Sequence, residues 1–335
     1  MSQDADGTAE IIRRNDWRQE MAQFDAQSSQ RLLDAYENIL PEIEATANRL
    51  VQALVHGDET TNLVSLPEYI DLLATVKTEM DGFSQILGQE VNAGNTAGIQ
   101  AGLNASQNMV NASAGVNVGG WVRPDPGAVR AAVNYADSPE MRLALSQFGE
   151  NAANHIADLL ITGAAQGRNP RQVAGIISDW TNIPYSWAEN ISRTTQIYAA
   201  RDATHEGYRA NPGIVTGWMW LSAKDRRTCI SCWSMDGMIF PITRNLNDHH
   251  RGRCTPAPIT RASRWNIGYR TGRERFAELS EADQRAIFHN NALYDAWRNG
   301  DVGWDDMSEP YQNGIFGEMQ RASSLSSIER RRNGQ

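Results

Sequence analysis

The chain has 335 residues, 41% of them hydrophobic, with a formal net charge of −9 and a pI near 5.2. That length suggests about two domains, and an acidic chain is not built to coat nucleic acid with a general basic face, although a local basic patch stays open. Residues 1–7 are polar and acidic with no apolar segment behind them, unlike a signal peptide, and no stretch supplies the ~20 apolar residues of a membrane span. The expectation is a soluble protein made in a cytosol.

Apolar residues recur at helical spacing over residues 11–56: Ile12, Trp17, Met21, Phe24, Leu32, Tyr36, Ile43, Leu50 and Leu54,. Pro41 lacks an N–H and is expected to kink or divide this run. Leu66-Pro67 opens a second run through Tyr69, Leu72, Val76, Met80, Phe83 and Leu87. Residues 88–120 are then dominated by Gly, Ala, Asn and Ser. Glycines at ~1 kcal/mol each make a lone helix marginal there, so close helix packing and a linker both remain open readings.

Pro124 and Pro126 punctuate a boundary, after which four helices are predicted,. The first spans residues 126–136. Ser138-Pro139 and Asn169-Pro170 each pair an N-cap with a proline at the first helical position, and Pro184 opens a longer helix through Trp187, Ile191 and Tyr198. Residues 215–220 then alternate as a strand. Asp236-Gly237 is a turn signal, and Met238-Ile239-Phe240 resumes the strand. Two prolines and an Arg-rich stretch follow, then one helix capped by Ser280 with Ile287, Leu293 and Trp297 on its apolar face. Residues 323–335 read as a flexible tail. The fold class is α+β, predominantly α-helical: a long helical N-terminal half, a small zinc-knuckle β-hairpin module and a helical C-terminal tail. The division is a helical region at residues 1–125, a core with the Cys/His hairpin at 126–260, and an Arg-rich segment, helix and tail at 261–335.

All three cysteines lie between positions 229 and 254. Three make no complete disulfide framework, and a cytosol keeps them reduced. Cys229-x2-Cys232 can turn two thiolates toward one ion, and a histidine with Cys254, brought back by the hairpin, supplies the other half of a tetrahedral structural Zn²⁺ site. The candidate ligands are Cys229, Cys232, Cys254 and either His249 or His250, with His250 favoured. The alternative is three buried free cysteines acting as small apolar residues. A second candidate surface is basic: Arg251, Arg253, Arg261, Arg264, Arg270 and Arg273, interleaved with Trp265 and Tyr269, suit phosphate contact and base stacking. A solvated surface or an acidic protein partner explains the same residues equally well.

A zinc deaminase is excluded, since Thr228 stands where its proline would precede Cys229-x2-Cys232, and His205-Glu206 lacks the intervening residue. An HNH-like nuclease would use the histidine of Asp248-His249 to activate water beside a divalent ion, but the downstream knuckle and metal-binding histidine are missing.

Ile191-Ser192-Arg193-Thr194, Trp218-Met219-Trp220, Thr228-Cys229 with Cys232, Asp236-Gly237, and His250 to Cys254 with Pro256 follow one another in order. In this the chain resembles the minor head proteins of tailed phages, the Mu F-type head-morphogenesis family, over residues 128–259. Thr195 stands where that family usually has an acidic residue, and Arg253-Cys254 replaces the usual Cys-Arg-Cys. The resemblance implies a non-enzymatic virion component of the head interior near the portal, present in the host cytoplasm during assembly. It implies portal, major capsid or scaffolding proteins as partners, weak contact with packaged double-stranded DNA, a part in packaging or ejection, and no membrane during assembly. Residues 11–56 and 67–87 are the candidate docking runs, with Trp17, Phe24 and Tyr69 as anchors. The alternative function is a phage-encoded metal-dependent nucleic-acid-binding protein or HNH-like nuclease.

Overall fold

The computed structural model describes residues 5–57, 62–263 and 269–334. In chain order the helices are α1 (Ala5–Arg14), α2 (Arg18–His56), α3 (Pro67–Ala114), α4 (Pro126–Ala132), α5 (Pro139–Ser146), α6 (Phe148–Ala165), α7 (Pro170–Trp180) and α8 (Asn182–Arg209). There follow β1 (Val215–Leu221), α9 (Ile230–Met235), β2 (Ile239–Phe240), β3 (Thr255–Thr260), α10 (Gly272–Ala277), α11 (Glu281–Phe288), α12 (Asn291–Asn299), β4 (Ser308–Asn313), β5 (Gly317–Ala322) and α13 (Leu325–Arg332). The fold is α+β and mainly α. Among the described residues, no helix is long and apolar enough to cross a membrane.

Two compact units emerge. One comprises Met1–Ala22, Thr96–Asn134 and Gln196–Gln335; the other comprises Gln23–Asn95 and Tyr135–Thr195. The second unit is all helical. Its core takes Leu32, Tyr36 and Ile43 from α2, Val76, Met80 and Phe83 from α3, and Ile156, Leu160, Ile177 and Trp180 from α6 and α7, all buried. Tyr36 meets Phe83 edge-on at 5.2 Å. The Ser138 and Asn169 side chains cap α5 and α7, with proline next in each. Pro41 does not divide α2, which runs on through it. It lies on the solvent side, as does Glu37 one turn earlier, so water can hydrate the carbonyl that proline leaves without a donor.

The Gly- and Ala-rich stretch turns out to be helical, because α3 runs through it to Ala114. In the first unit its small residues let it pack directly on α8. A Cβ at Gly98 would stand 2.6 Å from the Gln196 carbonyl oxygen, and one at Gly102 only 2.1 Å from that of Ala200. The Thr204 hydroxyl donates to the Gly102 carbonyl at 3.1 Å. Tertiary packing thus overrides poor intrinsic propensity.

The same unit holds an antiparallel sheet in the order β2-β1-β3. β3, noted in sequence only as two prolines, is a strand with Pro256 opposite Trp220 and Pro258 opposite Trp218. It is an edge strand, where missing N–H groups break no ladder. Trp218 and Trp220 are both buried, and Trp218 donates its indole N–H to the carbonyls of Pro241 and Arg244.

The C-terminal part also differs from expectation. The single predicted helix is two, because His289 adopts a left-handed conformation (φ 52°) after α11, and Asn290 caps α12. The tail beyond residue 323 forms α13, whose Ile328 is buried. Ile230 and Trp233 of α9 join Phe276, Ile287, Phe288, Leu293, Tyr294, Trp304, Met307 and Ile328 in one apolar cluster. Spread over six short segments, these positions carry too little periodicity to be read individually.

Packing at the glycines yields the first prediction. Gly102→Ala forces α3 from α8 and should destabilise by about 1–3 kcal/mol. Gly82→Ala, with nothing within 4 Å of its Cβ, should be neutral or stabilise by about 0.5–1 kcal/mol. Urea unfolding of the two variants checks the contrast.

Candidate metal centre

The centre lies at one end of the small sheet, built from the two connections that leave it. Pairing of Leu221 with Thr255 brings the end of β1 beside the start of β3. The first connection turns through Asp225, whose carboxylate accepts from the Arg227 N–H and the Thr228 hydroxyl. It enters α9 with Cys229 as N-cap, its Sγ facing the Cys232 N–H at 3.5 Å. The second connection, residues 241–254, carries Asp248, His249, His250 and Cys254.

Candidate ligand atoms fall into two overlapping sets. Those of Cys229, Cys232 and His249 lie within 4.8 Å of one another, and so do those of Cys232, Asp248 and Cys254. Cys232 is the shared vertex. His249 Nε2 is 3.4 Å from the Cys232 Sγ. His249 Nδ1 is 2.8 Å from the His250 carbonyl oxygen; a carbonyl only accepts, so Nδ1 carries the hydrogen and Nε2 faces the thiols with its lone pair when the ring is neutral.

His250, favoured from sequence spacing, is placed elsewhere. Its Nε2 sits 3.1 Å from Asn313 Nδ2 on β4, and its ring meets Phe316 edge-on at 5.7 Å. Spacing alone could not separate adjacent histidines, because the choice is made by a hairpin some 60 residues away in the chain.

Charge in the cluster is unevenly distributed. Hydrogen bonding from Cys232, and then the neighbouring His249, bring the Cys229 thiol down to about 5 against the cost of burial. The Asp248 carboxylate, with Cys229 beside it, lifts His249 to about 10. Cys232 is pushed far up by the sulfurs of Cys229 and Cys254 and by burial, and Cys254 is raised by burial. Three crowded thiols cannot all ionise without a compensating cation. A divalent ion would supply that compensation, and the soft donor set would suit zinc.

The polar support comes from one face of α8. Tyr198, Arg201, His205 and Tyr208 succeed each other by three or four residues, so they share a side. The Tyr198 hydroxyl donates to the Asp248 carbonyl. Arg201, wholly buried, donates through Nε to the Cys254 carbonyl at 3.1 Å and through Nη2 to the Gly252 carbonyl at 2.9 Å and Asp248 Oδ2 at 3.1 Å. His205 Nε2 accepts the Leu246 N–H at 3.1 Å, and burial keeps this ring neutral by lowering it to about 3. The Tyr208 hydroxyl donates to the Pro256 carbonyl at 2.9 Å.

Asp248 is itself fully buried. Burial pushes its carboxyl up, but the charges of His249 and Arg201, with hydrogen bonds from the Cys232 thiol and the His249 N–H, outweigh this and hold it at about 2. A Cβ on Gly252 would lie 2.0 Å from Asp248 Oδ2, so the loop closes only over glycine.

The N-terminus secures the same loop. Arg18 donates to the Arg253 carbonyl at 2.7 Å, Asp16 accepts the Thr255 hydroxyl at 2.9 Å, and Trp17 lies under the Arg201 guanidinium at 5.8 Å. Trp17 is only 2% exposed, and Tyr69, in the other unit, only 6%. Neither is available as a docking anchor. Phe24 lies under the Arg31 guanidinium at 5.9 Å.

The basic stretch is only partly a surface feature. Arg253 makes a two-bond pair with Asp225, both contacts 2.6 Å, which ties the two connections together. Arg270 pairs with Glu278. Arg251, Arg261 and Arg273 are exposed. Arg264 and Trp265 lie outside the described residues. Sequence reading missed Arg201 and Asp225 altogether and met Asp248 only as part of the nuclease alternative. The available signal was the polar stripe 198-201-205-208 on an otherwise buried helix.

The arrangement defines a class: a small-sheet core in which a Cys-x2-Cys helix start and a His/Cys loop converge on one buried vertex. Residues 154–287, which contain nearly all of it, match the family model described as phage Mu protein F like protein. That stretch is phage Mu F-like, and the match supports a phage head-related protein. No curated protein and no solved structure matches the chain.

The buried ion pair carries a prediction of its own. Arg201→Met strands the Asp248 carboxylate and should cost about 3–5 kcal/mol, whereas combining it with Asp248→Asn should cost clearly less than the sum. A double-mutant cycle by denaturant unfolding measures the coupling; strict additivity would remove Arg201 from this role.

Proposed function

We propose that this protein is a structural component of a phage head, acting in head assembly and in DNA packaging or ejection near the portal, with a zinc-organised core. The observation that carries the reading is the convergence of Cys229, Cys232, His249 and Cys254 around one buried sulfur, inside the stretch that is Mu F-like. Bound there, Zn²⁺ would supply a tetrahedral cross-link between the two connections. Cys254, whose ligand atom lies within 4.8 Å of that of Cys232, would supply the fourth donor. Asp248 and Arg201 orient the loop from behind, the usual work of groups just outside a metal's ligands.

A nuclease would need Asp248 and His249 to face water and substrate, and Asp248 is wholly buried. The core is therefore read as a scaffold without a catalytic role. Its proposed partners are the portal and the major capsid or scaffolding proteins, with packaged DNA as a weaker contact through Arg251, Arg261 and Arg273. Its proposed location is the head interior, after assembly in the host cytoplasm.

Two measurements test this. Purified protein should carry one equivalent of zinc, lost in Cys232→Ser and His249→Ala but retained in His250→Ala, and the chain should be recovered from the head fraction of purified particles. Less than half an equivalent, with unchanged melting after chelation, would remove the metal; recovery only from lysate, never from particles, would remove the head assignment. For DNA, about three neutralised phosphates give a slope of log affinity against log salt of roughly −3. A flat response counts against these arginines.

A further inference from the structure

The units differ in charge far more than the chain's net −9 suggests. Gln23–Asn95 and Tyr135–Thr195 together contain 18 Asp and Glu against 7 Lys and Arg, a net of −11. The remaining residues contain 22 against 24, a net of +2. Among the described residues, the acidic unit also holds most of the exposed large apolar side chains, including Ile70, Ile86, Leu143, Ile161, Ile183 and Trp187. A surface both acidic and apolar is unusual for a region that only needs to stay soluble.

These features meet at a cleft between α6 and α8. It encloses about 200 Å³ and is lined by Phe148, Ala152 and His155 of α6 and by Ile183, Pro184 and Trp187 of α8, with Trp180 among its walls. Trp187 rests on Phe148 at 4.9 Å between ring centres, yet remains 36% exposed, and Ile183 is 45% exposed. The helices around it are acidic: exposed Glu150 and Asp158 lie on α6 and Asp179 at the end of α7, while α6 itself has no Lys or Arg.

We propose that this cleft docks an amphipathic helix of a partner protein that bears Lys or Arg beside its apolar stripe. Apolar side chains from the first turns of both helices offer a trough to a third helix, which would enter it through residues at i, i+3 or i+4 and i+7,. A half-exposed tryptophan in such a trough is the kind of anchor that dominates binding, and the unit's net charge of −11 favours a cationic partner and steers its approach,. The inference does not depend on the metal, which lies in the other unit.

The test uses the full-length protein and a labelled leucine/lysine amphipathic peptide about five turns long, with a leucine/glutamate peptide as control. Fluorescence anisotropy should show the lysine peptide binding, with affinity falling as salt rises, and the glutamate peptide not binding over the same range. Trp187→Ala and Ile183→Asp should each weaken binding about tenfold or more, while Trp187→Phe keeps most of it. Absence of lysine-peptide binding overturns the proposal, as does binding unchanged in Trp187→Ala when circular dichroism shows an intact fold. Self-association of the protein that Trp187→Ala abolishes would make the cleft a face between copies and would also overturn it.

Discussion

A buried guanidinium decides how the core can be built. Arg201 sits within a helix, wholly out of water, and an isolated charge there would be prohibitively costly. Its Nε and Nη2 donate to the carbonyls of Cys254 and Gly252 and to the Asp248 carboxylate, while Nη1 meets no hydrogen-bond acceptor among the described residues. Those acceptors all belong to one loop, so satisfying Arg201 fixes that loop against α8. The glycine at 252, the N-terminal clamp by Asp16 and Arg18, and the position of Cys254 follow from the same requirement.

The cysteine cluster inherits its geometry from this frame. Cys254 is placed by its carbonyl's bond to Arg201, and His249 by the turn that Asp248 organises. Cys229 and Cys232 arrive from the other side, on a helix whose opposite face is sealed by Trp233 into the C-terminal apolar cluster. The ligand loops are therefore held from behind on both sides before any ion is considered. Such a site would lose less entropy on binding a metal than a floppy knuckle, and an ion's contribution would go into joining two supported loops.

What the sequence revealed followed the range of the interactions involved. Caps at Ser138, Asn169 and Ser280, the strand at residues 215–220 and the Asp236-Gly237 turn are local, and their residues announce them. The helix through the Gly-rich stretch depends on α8, and β3 depends on β1 tolerating prolines at an edge; neither partner is visible within a short window. The choice of His249 over His250 belongs to the same group, since Asn313 and Phe316 draw the second ring away. Arg253 looked like a phosphate contact because its partner Asp225 lies 28 residues earlier.

The interleaving of the two units in sequence bears on how any docking role can be located. Trp17 and its neighbours belong to the same unit as the cysteine cluster, and α2, α3 and α8 each contribute residues to both units. A chain cut before residue 126 would lose Asp16, Trp17 and Arg18 from the metal loop, and Gly98 and Gly102 from beside α8. Loss of partner binding in that chain would report unfolding as readily as a lost interface. Surface substitutions that leave the buried contacts intact, such as those at Ile183 and Trp187, act on one unit alone, and it is by such changes that docking and metal binding can be assigned to separate parts of the chain.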